Sequence, residues 1–431
     1  MKKTAFYTLG CKVNQYETEA MSELFANAGY EITDFSDKAD IYVINTCSVT
    51  NMGDRKSRQI IHRAKKSNPN AIIAVTGCYA QTAPDEVLSI DGVNIVIGTK
   101  NRKNIVSLIE ALDADSNVNH VSDIMTTHEF EELHIKKYSN RTRAFIKIQE
   151  GCNQFCSYCI IPYARGPVRS RKMQDILDEI HILAANGFKE IILVGIHVAS
   201  YGTDLENSSL EKLITDVDAI DGVERIRLSS IEPMTLNQQF IDNIKHSKKL
   251  CHHFHISLQS GCDETLKRMN RKYTTSQFKS IADGLRAAFD DVAITTDIMV
   301  GFPGETDEEF ESTVNFARQI QFSDAHIFQY SQRRGTPAAK RPDQISPSVK
   351  ERRSKIIIAE TQRTRDEFLN RFISKTMRVL FEQPAKDGLY EGKTDNYITV
   401  HAPSEDNLND EFRNVLLEKA ENGIMTGKIV E

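Results

Sequence analysis

The sequence predicts an α/β protein in three parts: an N-terminal parallel α/β domain, a central incomplete (βα)6 barrel and a small C-terminal antiparallel β-barrel. Three observations predict it. Apolar runs of strand length alternate with helical spacing between residues 4 and 97, and again between 144 and 329. That alternation implies mostly parallel sheets. After Thr376 the texture changes to short strands with Gly388, Gly392, Gly423 and Gly427 at the turns, as in small all-β barrels. The 431 residues suffice for two or three domains with separate cores. The expected divisions are residues 1–117, a linker at 118–140, a core at 141–372 and a barrel at 373–431.

In the first domain Thr4–Leu9 reads as a strand and Asn14–Ala28 as a helix, with Ala20, Leu24 and Phe25 at helical spacing. Ile41–Asn45, Ala71–Thr76 and Val93–Ile97 follow as strands. A basic helix runs from about Arg55 to Lys66 and stops before Pro69. Cys11, Cys47 and Cys78 each follow one of the first three strands, in the settings Leu9-Gly10-Cys11, Asn45-Thr46-Cys47-Ser48 and Thr76-Gly77-Cys78. Carboxyl ends of parallel strands share one edge, so these thiols, 36 and 31 positions apart, are expected to converge. Three unrelated buried thiols are the alternative. The repeated strand-end position favours a three-thiolate cluster site.

Between Val118 and Asn140 the pattern weakens to polar, aperiodic stretches such as Thr126-Thr127-His128 and Glu129-Phe130-Glu131-Glu132, and we read it as the linker. Barrel strands are expected at Ala144–Gln149, Glu190–Val194, Arg225–Leu228, Phe254–Leu258, Ala293–Val300 and Ala325–Gln329. Helices lie between them, such as Met173–Asn186 with Ile176, Ile180 and Leu183 on one face. Six βα units fall short of the closed eightfold barrel. Chemistry in such barrels sits at the carboxyl ends of the strands, which singles out His197, Glu232, Gln259 and Gly301-Phe302-Pro303-Gly304-Glu305.

The first barrel strand runs into Gly151-Cys152-Asn153-Gln154-Phe155-Cys156-Ser157-Tyr158-Cys159. Three thiolates on so tight a loop can hold three irons of a cubane cluster and leave the fourth without a protein ligand. An open iron can bind a substrate, as an open position does in catalytic zinc sites. S-adenosylmethionine, through its amino and carboxylate groups, is the guest such a site suits for radical chemistry. A zinc knot or three buried thiols are the alternatives. Zinc would want a fourth Cys or His, and the nearest downstream is His181 on a predicted helix.

Hydrophobic content of 40% and charged content of 26% are ordinary for a soluble chain. No apolar run approaches ~18 residues, so no membrane helix is expected, and no apolar stretch behind Met1-Lys2-Lys3 suggests a signal peptide. Eight cysteines without such a signal point to the reducing cytoplasm, where thiols serve metals or catalysis. A net charge of −6 argues against nucleic acid, but the cations are clustered. Arg55, Lys56, Arg58, Arg63, Lys65 and Lys66 share a helix; Arg165, Arg169, Arg171 and Lys172 follow the cysteine loop; Arg333, Arg334, Lys340 and Arg341 form a third patch. Solvated faces are the plain reading, and an RNA partner stays open.

Pro347 to Phe372 is a long charged helical segment. Beyond it, strands are expected at Met377–Phe381, Tyr397–His401, Phe412–Leu417 and Ile424–Val430. Tyr390 and Tyr397 either stack on nucleic acid or simply pack.

Thr8-Leu9-Gly10-Cys11-Lys12-Val13-Asn14-Gln15-Tyr16-Glu17-Thr18, the loop Gly151–Cys159, Ile160-Ile161-Pro162-Tyr163-Ala164-Arg165-Gly166 and Gly301–Thr306 together resemble the radical S-adenosylmethionine methylthiotransferases. The resemblance spans essentially the whole chain and implies a methylthiotransferase domain, a radical barrel and a C-terminal TRAM domain. Leu9–Asn14 and Leu228-Ser229-Ser230-Ile231-Glu232-Pro233 are most similar to the branch acting on N6-threonylcarbamoyladenosine at tRNA position 37. The branch acting on isopentenyladenosine typically shows Gly-Cys-Gln-Met-Asn, and the branch acting on a ribosomal-protein aspartate Gly-Cys-Pro-Lys-Asn. Arg333-Arg334-Gly335-Thr336-Pro337 departs from the usual Arg-Pro-Gly-Thr-Pro.

The resemblance implies that Cys152, Cys156 and Cys159 hold a radical-generating 4Fe–4S cluster and that Cys11, Cys47 and Cys78 hold an auxiliary 4Fe–4S cluster. Cys251 and Cys262 match no cluster position. It implies reductive cleavage of S-adenosylmethionine, activation of adenine C2 by the resulting radical, sulfur carried by the auxiliary cluster and methylation by a second S-adenosylmethionine. C2 bears an unactivated C–H bond that no side-chain acid or base removes in water, so a cofactor must supply the radical. The expected partners are the tRNA anticodon loop, an electron donor such as a flavodoxin or ferredoxin, and a sulfur donor. Gly195, Ser257, Gln259 and Gly301 are expected to cradle the cofactor, and Tyr158 to contact its adenine or to pack. Arg165 is the candidate fork for the threonyl carboxylate. Glu232 is the candidate for the threonyl hydroxyl or the cofactor's amino group. The rival of another class is a non-enzymatic iron–sulfur RNA-binding protein.

Overall fold

The computed structural model describes residues 1–113, 117–136 and 142–431. Its first sheet is parallel throughout, in the order β2-β1-β3-β4-β5-β6, with β1 at Lys3–Thr8, β2 at Glu31–Thr33, β3 at Ile41–Thr46, β4 at Ile72–Gly77, β5 at Val93–Val96 and β6 at Val118–Asn119. Every residue of β3 is buried, as expected of a central strand covered on both faces. The edge strands β2 and β6 are too short and polar to show in the sequence. The first helix, Lys12–Asn27, starts directly after Cys11, two residues earlier than its apolar spacing suggested.

The stretch expected as a linker is packed over its described part, and its end at 137–140, with the boundary at 141, lies outside the described residues. Leu133 and Ile135 are buried in the barrel core, Glu131 pairs with Arg102 and Glu132 with Arg171. Tyr16 on the first helix donates its hydroxyl to the Leu133 carbonyl.

The barrel follows the expected order, with parallel strands β7 (Arg143–Glu150), β9 (Glu190–Gly195), β10 (Arg225–Leu228), β11 (His253–Gln259), β12 (Ala293–Val300) and β13 (Asp324–Gln329). Single bridges, Ile226 with Leu250 and Ile231 with Ile256, join its two halves. A two-residue strand, β8 (Arg169–Ser170), runs antiparallel to the end of β7 and ties down the return from the cysteine loop. Helices clothe the outside; Met173–Ala185 buries Ile176, Ile180 and Leu183. Capping boxes at Thr274/Gln277 and Thr306/Glu309 start two of them.

Helix Pro347–Asn370 leads into a closed barrel in the order β14-β15-β16-β18-β17. Its strands are β14 (Thr376–Pro384), β15 (Leu389–Lys393), β16 (Thr399–Pro403), β17 (Phe412–Glu421) and β18 (Ile424–Val430). The pairings are antiparallel, as expected of this barrel, except that of β16 with β18, which is parallel. This barrel docks on the central one through Arg225 and Arg227, whose guanidinium N–H groups donate to the carbonyls of Lys393, Arg378, Asp395 and Thr394. No helix among the described residues is long and apolar enough to cross a membrane.

Candidate active site

Two cysteine trios stand at strand ends. In the first, Gly151 turns the chain at φ +77°, and the Cys152 amide donates to the Gly166 carbonyl at 3.0 Å. A Cβ on Gly151 would lie 1.8 Å from the Pro167 carbonyl oxygen, so this turn closes only with glycine. Each sulfur meets an N–H group. The Gln154 amide faces Cys152, the Ile161 amide donates to Cys159 Sγ at 3.4 Å, and Arg271 Nη1 donates to Cys156 Sγ at 3.4 Å.

In the second trio the sheet does what strand order required. A Cβ on Gly10 would lie 3.2 Å from Cys47 Sγ, and the Cys78 thiol feels the charges of both Cys47 and Cys11. The Val49 amide faces Cys47, and Arg165 Nε donates to Cys78 Sγ at 3.2 Å.

The donor sets fit iron–sulfur clusters. Among the described residues neither trio brings its three sulfurs within 4.8 Å of one another, whereas sulfurs about 2.3 Å from one tetrahedral zinc would stand about 3.8 Å apart. Burial pushes the thiols of Cys78 and Cys159 up to about 12 and that of Cys152 to about 11. Such groups stay protonated until a metal takes them as thiolates.

The trios are joined by one short helix, Ile161–Arg165, which starts just after Cys159 and ends on the arginine that reaches Cys78. Five helical residues rise about 7.5 Å. Arg165 is fully buried. Its Nη1 donates to Glu17 at 2.5 Å and to Glu150 at 3.1 Å, and its Nη2 to Asn14 Oδ1 at 2.5 Å. Arg102 and Lys147 join the same two carboxylates, and Glu131 adds a third carboxylate on Arg102. Three cations thus face three carboxylates. Burial opposes ionisation, yet Arg102, Arg165 and Lys147 together hold Glu17 well below the usual carboxylate range. The expectation that Arg165 grips a substrate carboxylate is therefore corrected: its fork is consumed inside the protein, between the domains.

Glu232 and Ser257 meet at Arg271, which also stands within electrostatic reach of Tyr158 and which the sequence reading missed. Its Nη2 donates to Glu232 at 3.0 Å and to the Ser257 carbonyl at 2.9 Å. Tyr273 donates to that same carbonyl, so Ser257 has only its hydroxyl left to offer. Gln259 ends β11 at φ +67° with its side-chain oxygen buried and unbonded. His197 Nε2 is likewise buried without a partner, 3.9 Å from Glu232, and burial lowers this imidazole to about 4, leaving it neutral. Gly301 is not a free cradle: its amide donates to Glu305 at 2.7 Å and its φ is +70°. Gly195 is explained by Gln149 and Val198, whose atoms would lie 3.0 and 3.1 Å from an added Cβ. Tyr158 packs edge-on to Phe302 with ring centroids 6.5 Å apart. Glu232 is held by Arg271 and is not among the residues lining the cavity described next.

A cavity of about 770 Å³ runs from Gly10, Cys11 and Lys12 past Ile161 and Gly195 through the barrel lumen to Tyr397. Its wall carries a group the sequence reading passed over: Asp297 accepts from His255 at 3.2 Å and lies 3.4 Å from His326. These polar residues sit on strands that otherwise read as apolar, which was their only signal. Tyr397 stacks on His253 at 4.6 Å and 12°, so it is a domain contact, not a surface platform. Of the basic patches, Arg165, Arg169, Arg171 and Arg333 are buried; Arg55, Lys56, Arg63, Lys66 and Arg334 remain exposed.

Residues 146–317 match the family model of the Radical SAM superfamily, and residues 3–98 match Uncharacterized protein family UPF0004. The chain is 45% identical over 406 residues to threonylcarbamoyladenosine tRNA methylthiotransferase MtaB of Bacillus subtilis (strain 168), covering 93% of this chain and 90% of that protein. It is 38% identical to the protein of the same name from Aquifex aeolicus, covering 92% and 96%. Identity to tRNA-2-methylthio-N(6)-dimethylallyladenosine synthase of Acetivibrio thermocellus is 35%, covering 98% and 90%. Among solved structures, the radical S-adenosylmethionine methyltransferase TsrM from Kitasatospora setae, with cobalamin and a 4Fe–4S cluster bound, shares the fold with a TM-score of 0.58 at 14% identity, covering 78% of this chain and 77% of that one.

Proposed function

The chain belongs to the threonylcarbamoyladenosine tRNA methylthiotransferases, radical S-adenosylmethionine enzymes with 4Fe–4S clusters, and from that membership we propose that it replaces the C2 hydrogen of N6-threonylcarbamoyladenosine at tRNA position 37 by a methylthio group. The observation that carries the reading beyond family membership is the pair of three-thiol sites joined by Arg165, with Cys11 on the wall of a cavity large enough for a modified base. Cys152, Cys156 and Cys159 hold the radical cluster in this reading, and Cys11, Cys47 and Cys78 the auxiliary one. When bound, these clusters and S-adenosylmethionine supply the carbon radical that an unactivated C–H bond requires and the sulfur that replaces the hydrogen.

The chain's own residues bind and orient. Arg271 fixes the Glu232 carboxylate, which in this reading accepts from the cofactor's amino group. In this reading the Nε2 of His197 and the side-chain oxygen of Gln259, neither hydrogen-bonded among the described residues, bond its polar edge with the Ser257 hydroxyl, Gly195 and Gly301 lie alongside, and Tyr158 forms a wall. The exposed cations of helix Asn51–Ser67 and Arg334 suit the phosphates of an anticodon loop. An electron donor such as a flavodoxin or ferredoxin and a separate sulfur donor complete the reading, in the cytoplasm.

Mass spectrometry of tRNA nucleosides from cells with and without the gene tests it. The methylthio form of threonylcarbamoyladenosine is expected to vanish without the gene and return on complementation. Its unchanged persistence, with no second such enzyme in the cell, would sink the substrate claim. Loss of methylthio-isopentenyladenosine instead would move the chain to the neighbouring branch.

A further inference from the structure

We propose that Lys12 is the carboxylate-binding residue of the cavity, pairing its ammonium with the amino-acid carboxylate carried on N6 of the substrate base; the proposal rests on the function given above. Lys12 follows Cys11 directly, so its Cα lies about 3.8 Å from that of an auxiliary-cluster ligand. Its side chain lines the 770 Å³ cavity and stands within electrostatic reach of Tyr397, His253 and His326. Among the described residues it has no hydrogen bond and no ion pair. Arg143 and Arg227 oppose its charge, and Glu190 and Tyr397 favour it without bonding it. An ammonium partly withdrawn from water with no bonded carboxylate is costly, and such a charge is well used where a ligand brings the anion.

The carboxylates that share the cavity are already engaged. Asp297 sits between His255 and His326, at 3.2 and 3.4 Å, and Asp324 pairs with Arg365 at 3.8 Å. Neither is bonded to Lys12. The other lysine on the wall, Lys393, donates to Thr399 Oγ1 at 2.5 Å and lies 5.0 Å from the Tyr397 ring centroid. Arg365, also on the wall, pairs with Asp324, so among the described residues Lys12 is the lysine or arginine of the wall with no bonded partner.

The chemistry of the base points the same way. An N6-ureido substituent closes an internal N–H···N hydrogen bond onto N1, which turns the attached amino acid toward the N1–C2 edge. The carbon that receives sulfur and the carboxylate then lie on one side of the base, as Cys11 and Lys12 lie on one wall of the cavity. Unmodified adenosine brings no anion, so Lys12 would remain desolvated and unpaired against it. That makes the residue a selector as well as an anchor.

The test uses the full chain with both clusters reconstituted anaerobically, and Lys12→Gln prepared alike; iron and sulfide per chain and a thermal melt establish that each is folded and loaded. Fluorescence anisotropy measures the Kd of an anticodon stem-loop carrying N6-threonylcarbamoyladenosine, and of one carrying its threoninamide analogue, in which the carboxylate is a neutral amide. The wild type is expected to bind the carboxylate form about 10- to 100-fold more tightly, and Lys12→Gln to bind the two alike. Lys12→Arg should keep most of the preference, and Lys12→Met replaces Lys12→Gln if the latter fails to load its clusters. A neutral variant that keeps the wild-type preference overturns the proposal. Product analysis on the same stem-loops separates the two failures. Modification of the threonylcarbamoyl RNA with the preference intact in Lys12→Gln removes only the Lys12 assignment, whereas no modification and no preference in the wild type removes the substrate reading as well.

Discussion

Arg165 Nε donates to Cys78 Sγ at 3.2 Å, although the two residues stand 87 positions apart in different domains. The same guanidinium spans Glu17 from the first helix and Glu150 from the end of β7. The auxiliary site is therefore built partly by the loop that carries the radical site. Arg165→Met would leave a buried carboxylate pair short of one cation, which typically costs about 3–5 kcal/mol. Arg165→Lys keeps the charge but cannot bond Cys78, Asn14 and both carboxylates at once. We expect lower resistance to urea in both variants, Met worse than Lys, and loss of iron from the auxiliary trio before the radical trio. Wild-type iron content in Arg165→Met would refute the coupling.

Arg271 reaches Cys156 Sγ at 3.4 Å with a charged N–H donor. Hydrogen bonds and positive charge beside cluster sulfur favour the reduced cluster. Arg271→Gln should therefore make the radical cluster harder to reduce. A lost charged hydrogen bond of about 1.5–3 kcal/mol corresponds to roughly 60–130 mV for one electron. The measurement is a redox titration followed by electron paramagnetic resonance, with Cys11, Cys47 and Cys78 replaced by Ala so that one cluster is read. A shift toward more positive potential would contradict the assignment.

Gly151→Ala tests whether the cysteine loop closes as described. At φ +77° the new Cβ meets the backbone of Pro167, not a movable side chain. The loop must open, and iron per chain should fall from about eight to about four as the radical cluster is lost. Gly187→Ala is the control. Its φ is +92° but nothing lies within 4 Å of the added carbon, so only backbone strain of about 1 kcal/mol is expected and both clusters should load.

The loop of Cys152, Cys156 and Cys159 was legible from its spacing alone, and the convergence of Cys11, Cys47 and Cys78 from strand ends, because strand length and order show in local apolar runs. Cys11, Cys47 and Cys78 needed no contact information beyond that. Arg271 was not legible. It follows a helix instead of a strand, and its partner Cys156 is 115 positions away. Arg165 was recognised as a fork, but its destination depended on Glu17 and Lys147 converging with it, and no periodicity records that burial. Tyr397 follows the polar pair Asp395-Asn396, so the sequence left stacking on nucleic acid and packing as alternatives; the docking of the C-terminal barrel on His253 decides for packing. Strand β15 was hidden by Glu391, Gly392 and Lys393, which interrupt its alternation.

The group formed by His255, Asp297 and His326 sets a pH window. Its hydrogen bond to Asp297 raises the His326 pKa, with burial opposing, Asp324 assisting and Lys12 opposing. A histidine raised in the folded state adds stability below its unfolded pKa, near 6.5, and loses that contribution as pH rises through the folded value. Burial opposes ionisation of Asp297, but bonds from His255 and His326 lower its pKa overall. Its contribution is present above the unfolded value near 3.9 and is lost only as pH falls through the lowered one. Both contributions coexist between about pH 4 and pH 6.5. His326→Gln should therefore lower the anaerobic melting temperature most near pH 5.5 and least above pH 8. Because the His326 side chain is 73% exposed, the difference should be small and shrink further in added salt. A deficit that grows toward high pH would show that His326 acts in the fold as a neutral group and not as the partner of Asp297.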